Sequence, residues 1–217
     1  MNRILEYILD LIYPPRCCFC SKIIEREARG ICAACGEKLS SLKKVNGKRI
    51  LEGGFVCCYP LVYDSMVRES FLRYKFSGAL SYAETYASLL ADRLRSMLPV
   101  CDVITWVPLS RRRKRKRGYD QAELLAKGTA VLLGLDCERI LYKNKETKTQ
   151  SRLKDRKDRT DNVKGAYSLH DSKLVEGRRI LIIDDIVTTG ATLSECCRVL
   201  KKAGAETVTA AAFASAE

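Results

Sequence analysis

Residues 179–185, RILIIDD, place four β-forming apolar side chains in a row, Ile180 to Ile183, and then two adjacent carboxylates. Successive side chains on a strand point to opposite faces, so a strand with no polar alternation must be covered on both sides. Residues 102–109, DVITWVPL, have the same character. Strands of this kind belong to parallel sheets flanked by helices, and the intervening segments carry helical signals. Ser65 can cap a helix through about Tyr74. Ala83, Tyr86, Ala87, Leu90 and Leu94 recur at helical spacing between about Leu80 and Met97, and Pro99 stops that run. Further helices are predicted from Asp120 to about Leu133, closed by Gly134, and from Ala191 to Lys202, with a last strand at 207–214. The fold class expected is α/β: a mostly parallel sheet with flanking helices over residues 61–217, preceded by a small cysteine module within residues 1–60. Ligands of such sheets bind beyond the carboxyl ends of the strands.

The residues beyond the two carboxylates narrow the choice of ligand. Thr188, Thr189, Gly190, Ala191 and Thr192 form a turn that opens a helix, where backbone N–H groups, hydroxyls and the positive end of the helix dipole favour a phosphate. Gly190 removes a side chain that would hinder close approach. Asp184 and Asp185 only accept hydrogen bonds, so they repel a bare phosphate and suit the vicinal hydroxyls of a sugar. A ribose phosphate satisfies both halves.

The formal net charge of +13 is unevenly spread. Residues 111–117, RRRKRKR, are seven consecutive cations, and residues 143–164 hold nine basic against four acidic side chains. Adjacent like charges repel, so these stretches call for a polyanionic ligand: phosphates of a small molecule, nucleic acid, or both. The stretch before residue 111 leaves a strand's carboxyl end, as does the 184–192 segment. The two should converge on one crevice.

The first 60 residues read differently. The opening run has Ile4, Leu5, Ile8, Leu11 and Ile12 on one side of an amphipathic helix, but Glu6 and Asp10 stand where a signal peptide is apolar. No apolar run approaches the roughly 20 residues that cross a bilayer. A cytoplasmic location is expected, where eleven cysteines would stay reduced. Cys17, Cys20, Cys32 and Cys35 form two CxxC pairs whose separation suits one tetrahedral Zn²⁺, each pair on a hairpin. Zinc is favoured over a redox pair or simple burial; Cys18 competes with Cys17 for a ligand position, and the adjacent Cys57 and Cys58 make a second site doubtful. Cys196 and Cys197 are read as helix packing, and His170 as a surface loop residue outside every motif.

Ile180 to Thr192 resembles the phosphoribosyl diphosphate (PRPP) motif of type I phosphoribosyltransferases. The order of a cysteine-rich head, VPLSRRRKRKRGYDQ, TKTQSRLKDRKDRTDNVKGAY and the PRPP motif is similar to that of the ComF-type competence family, over essentially the whole chain. The resemblance implies that Asp184 and Asp185 bind the ribose hydroxyls and that Thr188, Thr189, Gly190, Ala191 and Thr192 surround the 5-phosphate. The segment after Pro108, with Leu109 and Ser110, corresponds to the pyrophosphate loop, and Arg113 and Arg117 are its best-placed cations. Thr149, Gln150 and Leu153 through Asn162 resemble the loop that closes such sites. The implied reaction is displacement of Mg²⁺-bound pyrophosphate at the anomeric carbon by a nitrogen nucleophile, for which positioning and stabilisation of the departing charge suffice without a catalytic histidine.

Type I transferases also need a hood that recognises the base. Few residues follow the last strand, so the head and the helices before Pro99 would have to supply it. The family resemblance implies a role in natural transformation, with cytosolic handling of imported single-stranded DNA through the basic loops 111–117 and 143–164 and with competence-machinery proteins as further partners. No aromatics interleave the basic run; Tyr74, Phe76 and Tyr119 are the nearest stacking candidates. A true phosphoribosyltransferase on an unidentified nitrogen acceptor and a non-catalytic PRPP sensor are the alternatives.

Overall fold

The computed structural model describes residues 13–42, 47–76, 80–97, 100–146 and 156–216. The predicted amphipathic helix, Pro99, Thr149, Gln150 and the start of the proposed closing loop lie outside them. In chain order the strands are β1 (Lys48–Ile50), β2 (Val56–Cys58), β3 (Leu61–Val62), β4 (Val103–Trp106), β5 (Asp136–Cys137), β6 (Leu141–Lys143), β7 (Tyr167–Leu169), β8 (Arg179–Val187) and β9 (Thr207–Ser215). The helices are α1 (Ala33–Leu42), α2 (Ser65–Phe76), α3 (Tyr82–Arg95), α4 (Arg111–Arg117), α5 (Gln121–Leu133), α6 (Arg156–Val163) and α7 (Ala191–Lys202). The main sheet runs β1-β2-β9-β8-β4-β5, with β3 also on β9; β6 and β7 form a separate antiparallel ribbon. Among the described residues only the β1–β2 pairing in the main sheet is antiparallel.

The central strand is covered on both faces, as its unbroken apolar run requires. Leu181 and Ile183 pack into one core with Phe71, Tyr86, Leu90, Leu125 and Phe213, beneath α2, α3 and α5. Ile180 and Ile182 pack into the other with Leu193, Cys196 and Cys197 of α7. Burying each such side chain contributes about 1.5–3 kcal/mol. Small residues allow close layers. A Cβ on Gly128 of α5 would stand 2.8 Å from the Cβ of Ala87 in α3, and the rings of Tyr86 and Phe213 stack at 4.0 Å between α3 and β9.

Three expectations are corrected. Residues 111–117 are a helix and not a loop: the Ser110 hydroxyl accepts a hydrogen bond from the Arg113 N–H, and Gly118 closes the helix in the left-handed region. The strand expected to end at the two carboxylates runs on past them, because pairing of β8 with β9 continues to Val187 opposite Ser215. The cysteine head does not reach residue 60, because Lys48–Ile50 and Val56–Cys58 are strands of the main sheet, and both Cys57 and Cys58 are buried there.

The head itself sits on the body through backbone carbonyls. Ser70 Oγ donates to the carbonyl of Cys18 at 2.5 Å, and Arg73 donates to those of Cys18 and Phe19 at 3.0 and 2.6 Å. Cys17, Cys18 and Phe19 are buried in the same core as Phe71 and Tyr86. At Gly30, where φ is +82°, an added Cβ would collide with the Thr85 side chain. Head and body are therefore one packed unit along this contact.

Candidate functional site

The turn between β8 and α7 is built by three devices. Gly190 caps α7 with φ +82°, and a Cβ there would meet Leu51 at 2.7 Å, so both conformation and packing require glycine. Thr189 Oγ1 accepts a hydrogen bond from the Ala191 N–H at 3.4 Å. Arg49 of β1 donates to the Thr188 carbonyl at 2.8 Å and to Ser215 Oγ and the Ala216 carbonyl at 3.2 Å each. Asp184, Thr188, Gly190 and Thr192 line a pocket at this turn together with Ile186, Val187 and Leu193.

Asp184 and Asp185 are half-buried and leave β8 on opposite sides. Asp184 Oδ1 accepts the N–H of Asp185 at 2.8 Å, and Asp185 Oδ1 that of Ile186 at 2.6 Å. Burial pushes the Asp184 carboxyl well above the usual carboxylate range, and the charge of Asp185 adds to the effect. The crevice thus favours a ligand bringing hydroxyl donors or a cation to Asp184 over a second negative charge. Lys75, near the end of α2, places its ammonium 4.0 Å from Asp185.

Helix α4 divides its cations by helical periodicity. Arg113, Lys114 and Arg117 turn inward; Arg111, Arg112, Arg115 and Lys116 are exposed. Lys114 pairs with Glu123 at 2.6 Å, and Arg117 donates to the Gln121 side chain. Burial lowers the Arg117 pKa against the opposing charge of Asp185. Arg113 bears electrostatically on Lys143 at the end of β6, as does Asp184 with the opposite sign. Lys143 also donates to the Tyr167 hydroxyl at 3.2 Å, and burial first, then the Arg113 charge, lowers its pKa to about 8.

Of the expected site residues, Asp184, Thr188, Gly190 and Thr192 line the pocket at the turn, whereas Arg117 is tied to it through the charge of Asp185 and Arg113 through Lys143. Leu109 and Ser110 lead into α4, where the Leu109 N–H donates to Asp120 at 2.8 Å and the Ser110 hydroxyl serves as the cap of that helix. Asp120 is itself buried and also caps α5, so it fixes the 107–110 segment against that helix. In the sequence Asp120 reads only as a helix start, Lys143 only as one charge among many, and Arg49 as part of the head. The signal for Lys143 is its place at the end of the run Ile140 to Lys143, just before the basic segment.

The Sγ atoms of Cys17, Cys20, Cys32 and Cys35 lie within 4.8 Å of one another, with Cys20 and Cys32 at 3.6 Å. A tetrahedral zinc with Zn–S bonds near 2.3 Å separates its sulfurs by about 3.8 Å, so this cluster fits the ion. Cys17 and Cys20 stand on a tight turn closed just after Cys20, where Ser21 has φ +62° and donates its N–H to the Cys17 carbonyl at 2.8 Å, whereas Cys32 and Cys35 stand at the start of α1 and not on a second hairpin. Cys18 is excluded: its thiol donates to the Gly30 carbonyl at 2.8 Å, and burial pushes its pKa up to about 12.

Residues 115–217 match the family model of the phosphoribosyl transferase domain, and residues 8–49 that of the double zinc ribbon domain. With the four-thiol cluster, the second match identifies the head as a structural zinc module. The chain is 36% identical to "Competence protein F" of Haemophilus influenzae over 63% of its own length and 62% of that protein's. It is 28% identical to "Competence protein ComFC" of Streptococcus pneumoniae, over 88% of this chain and 84% of the relative. The aligned stretch thus spans about three fifths of the first relative. Among solved structures, the glutamine PRPP amidotransferase from B. subtilis aligns with a TM-score of 0.43 and 25% identity, over 61% of this chain and 26% of that one. Among the described residues no helix is long and apolar enough to cross a membrane.

Proposed function

We propose that this chain, which belongs to the ComF-type competence family and carries a phosphoribosyltransferase domain behind its zinc head, binds Mg-PRPP at the carboxyl ends of β4 and β8. On the exposed side of α4 it handles single-stranded DNA in the cytosol during natural transformation. The observation that supports this reading is the opposition of charges around one crevice. Lys75 lies 4.0 Å from Asp185, Arg117 feels the charge of Asp185, and Lys143 feels both Asp184 and Arg113, beside a phosphate-type helix turn.

In this reading Asp184 and Asp185 accept hydrogen bonds from the ribose hydroxyls, and Thr188, Thr189, Gly190, Ala191 and Thr192 surround the 5-phosphate. Arg113, Arg117 and Lys143 face the diphosphate, with Leu109 and Ser110 shaping the segment that carries the two arginines. Asp184 and Asp185 would also serve to hold a magnesium ion arriving with PRPP, which would supply a hard cation against the diphosphate charge. Transfer to a nitrogen acceptor asks of the protein chiefly that these cations hold the departing diphosphate. No histidine is called on for this, and His170, the chain's one imidazole, is exposed beside Tyr142.

Pyrophosphate release from Mg-PRPP, measured with purines, pyrimidines, amines and single-stranded DNA as acceptors, tests the proposal. Release with any acceptor makes the chain a transferase. Saturable PRPP binding without release makes it a non-catalytic PRPP-binding protein, a DNA handler where single-stranded DNA also binds and a PRPP sensor where it does not, and absence of both release and PRPP binding contradicts the reading.

A further inference from the structure

The β6–β7 ribbon carries a buried phenol whose ring belongs to the core and whose hydroxyl does not. In the antiparallel pairing Lys143 stands directly opposite Tyr167, so the two side chains share one face of the ribbon. Tyr167 is 5% exposed and packs in the same core as Leu193 and Cys196 of α7, which fixes its ring. Packing alone asks only for the ring, and a phenol oxygen taken out of water needs a hydrogen-bond partner. That partner is Lys143, whose ammonium donates to the hydroxyl at 3.2 Å and lies 5.0 Å from the ring centre. Among the described residues the ammonium pairs with no carboxylate. A lysine stem is flexible and its head strongly hydrated, so an ammonium under the charge of Arg113 is drawn toward water. The fixed hydroxyl opposes that by accepting one of the ammonium's donors and leaving the others for a ligand.

We infer that Tyr167 is a positioning residue for the diphosphate, its hydroxyl holding the Lys143 ammonium ready for the anion. This rests on the proposed PRPP pocket and adds to it a residue of β7 that lies outside its motifs. The groups acting on Lys143 come from each neighbouring element. Arg113 of α4 repels it, Asp184 of β8 and Glu146 just after β6 attract it, and Cys196 of α7 is a thiol that burial keeps protonated. Burial likewise keeps the Tyr167 phenol neutral, so it serves the ammonium as an acceptor and adds no charge of its own. The charges of Asp184 and Arg113 reach Tyr167 as well as Lys143, which places the pair beside the same crevice. Loss of the hydroxyl removes a bond made to the charged form of Lys143 and favours the neutral amine, so its effect should fall on the diphosphate.

The test measures binding of inorganic pyrophosphate and of ribose 5-phosphate to the full zinc-loaded chain by calorimetry, in wild type, Tyr167→Phe, Lys143→Met and the double variant. Tyr167→Phe keeps the ring and its packing, so ribose 5-phosphate should bind as it does to wild type. Pyrophosphate should bind about 3- to 10-fold more weakly, the contribution of one hydrogen bond. The pH at which its affinity falls should move lower than in wild type, a shift that a packing role would not produce. In the Lys143→Met background the same change should have no effect, because the hydroxyl acts through the ammonium. Unchanged pyrophosphate affinity in Tyr167→Phe, an unmoved pH profile, or an equal loss with and without Lys143 overturns the inference while leaving the phosphate pocket standing. An equal loss for both ligands makes the phenol a packing group and overturns it too. If wild type binds ribose 5-phosphate and no pyrophosphate, the diphosphate half of the pocket fails and the inference with it; if it binds neither, the whole pocket fails.

Discussion

Arg49 Nη1 holds the carbonyl oxygen of Thr188 at 2.8 Å, across 139 residues of sequence. In a trans peptide the C=O and the following N–H point in opposite directions, so fixing the Thr188 carbonyl also fixes the direction of the Thr189 N–H. Arg49 thereby orients the phosphate turn from behind, and its other two acceptors, at Ser215 and Ala216, anchor it to the end of β9. Arg49→Met, which keeps length and loses every donor, should weaken ribose 5-phosphate binding about tenfold and destabilise the protein by about 1–3 kcal/mol, the usual cost of unpaired buried acceptors. Arg49→Lys should restore part of both. Calorimetry showing unchanged affinity in Arg49→Met would remove this positioning role.

The two faces of α4 should separate experimentally. Replacing Arg111, Arg112, Arg115 and Lys116 by Gln should reduce the slope of log affinity against log salt for single-stranded DNA by as much as about 3, since each phosphate contact on a single strand contributes about 0.7. PRPP affinity should hardly move. Arg113→Gln and Arg117→Gln should do the reverse. Lys114 belongs with the inner group, because it is paired with Glu123. A salt slope unaffected by the four outer changes would show that DNA does not use this face.

Cys35→Ser should abolish stoichiometric zinc, and the loss should reach beyond the head. Cys18 and Phe19 carbonyls receive Ser70 and Arg73, and their side chains share a core with Phe71 and Tyr86. Scanning calorimetry is expected to show one transition displaced downward and not an intact body beside an unfolded head. Cys18→Ala should keep its zinc. Metal analysis finding zinc retained in Cys35→Ser, or lost in Cys18→Ala, would break the assignment of ligands.

The sheet is legible in the sequence because Ile180 to Ile183 admit only a strand covered on both faces, and the pairing of β8 with β4 and β9 accords with that. The carboxylates and the 188–192 turn are legible because they are contiguous. The features hidden from sequence depend on long-range pairing. Lys48–Ile50 and Val56–Cys58 are too short and too near the cysteines to announce themselves as sheet strands, so Arg49 is invisible there as a partner of Thr188. The helical state of residues 111–117 is hidden by charge: seven cations disfavour a helix on their own, and the Ser110 cap, Gly118, Glu123 and the carboxylates of the crevice offset that repulsion. Lys143 gains significance only when the β6–β7 ribbon buries it within reach of the charges of Arg113 and Asp184.

Lys143 should also give the site a pH dependence. Its pKa in the folded protein is about 8, below the ordinary 10.5. The unfolded chain therefore binds more protons between about pH 8 and 10.5, and this group favours folding as pH rises through that window. Anion binding runs the other way, because only the ammonium attracts diphosphate. Pyrophosphate affinity should fall by up to about tenfold from pH 7 to 9, following loss of the charged form. Lys143→Met should start weaker and show a flatter profile. An equally steep fall in Lys143→Met would assign the titration to another group.

Binding of Mg-PRPP to the wild-type chain and to the Asp184→Asn, Asp185→Asn double variant tests the account most directly, by calorimetry and by the emission of Trp106. This tryptophan is buried in β4 with Ile183 as its strand partner, one residue before Asp184. Wild type should bind saturably and change its emission, with ribose 5-phosphate weaker because it lacks the diphosphate held by Arg113, Arg117 and Lys143. The double variant should bind at least about tenfold more weakly, since each amide keeps the size and loses the charged acceptor. Folded wild-type protein that binds no PRPP in the presence of Mg²⁺ would contradict the pocket, and the cations of α4 would then answer to nucleic acid alone.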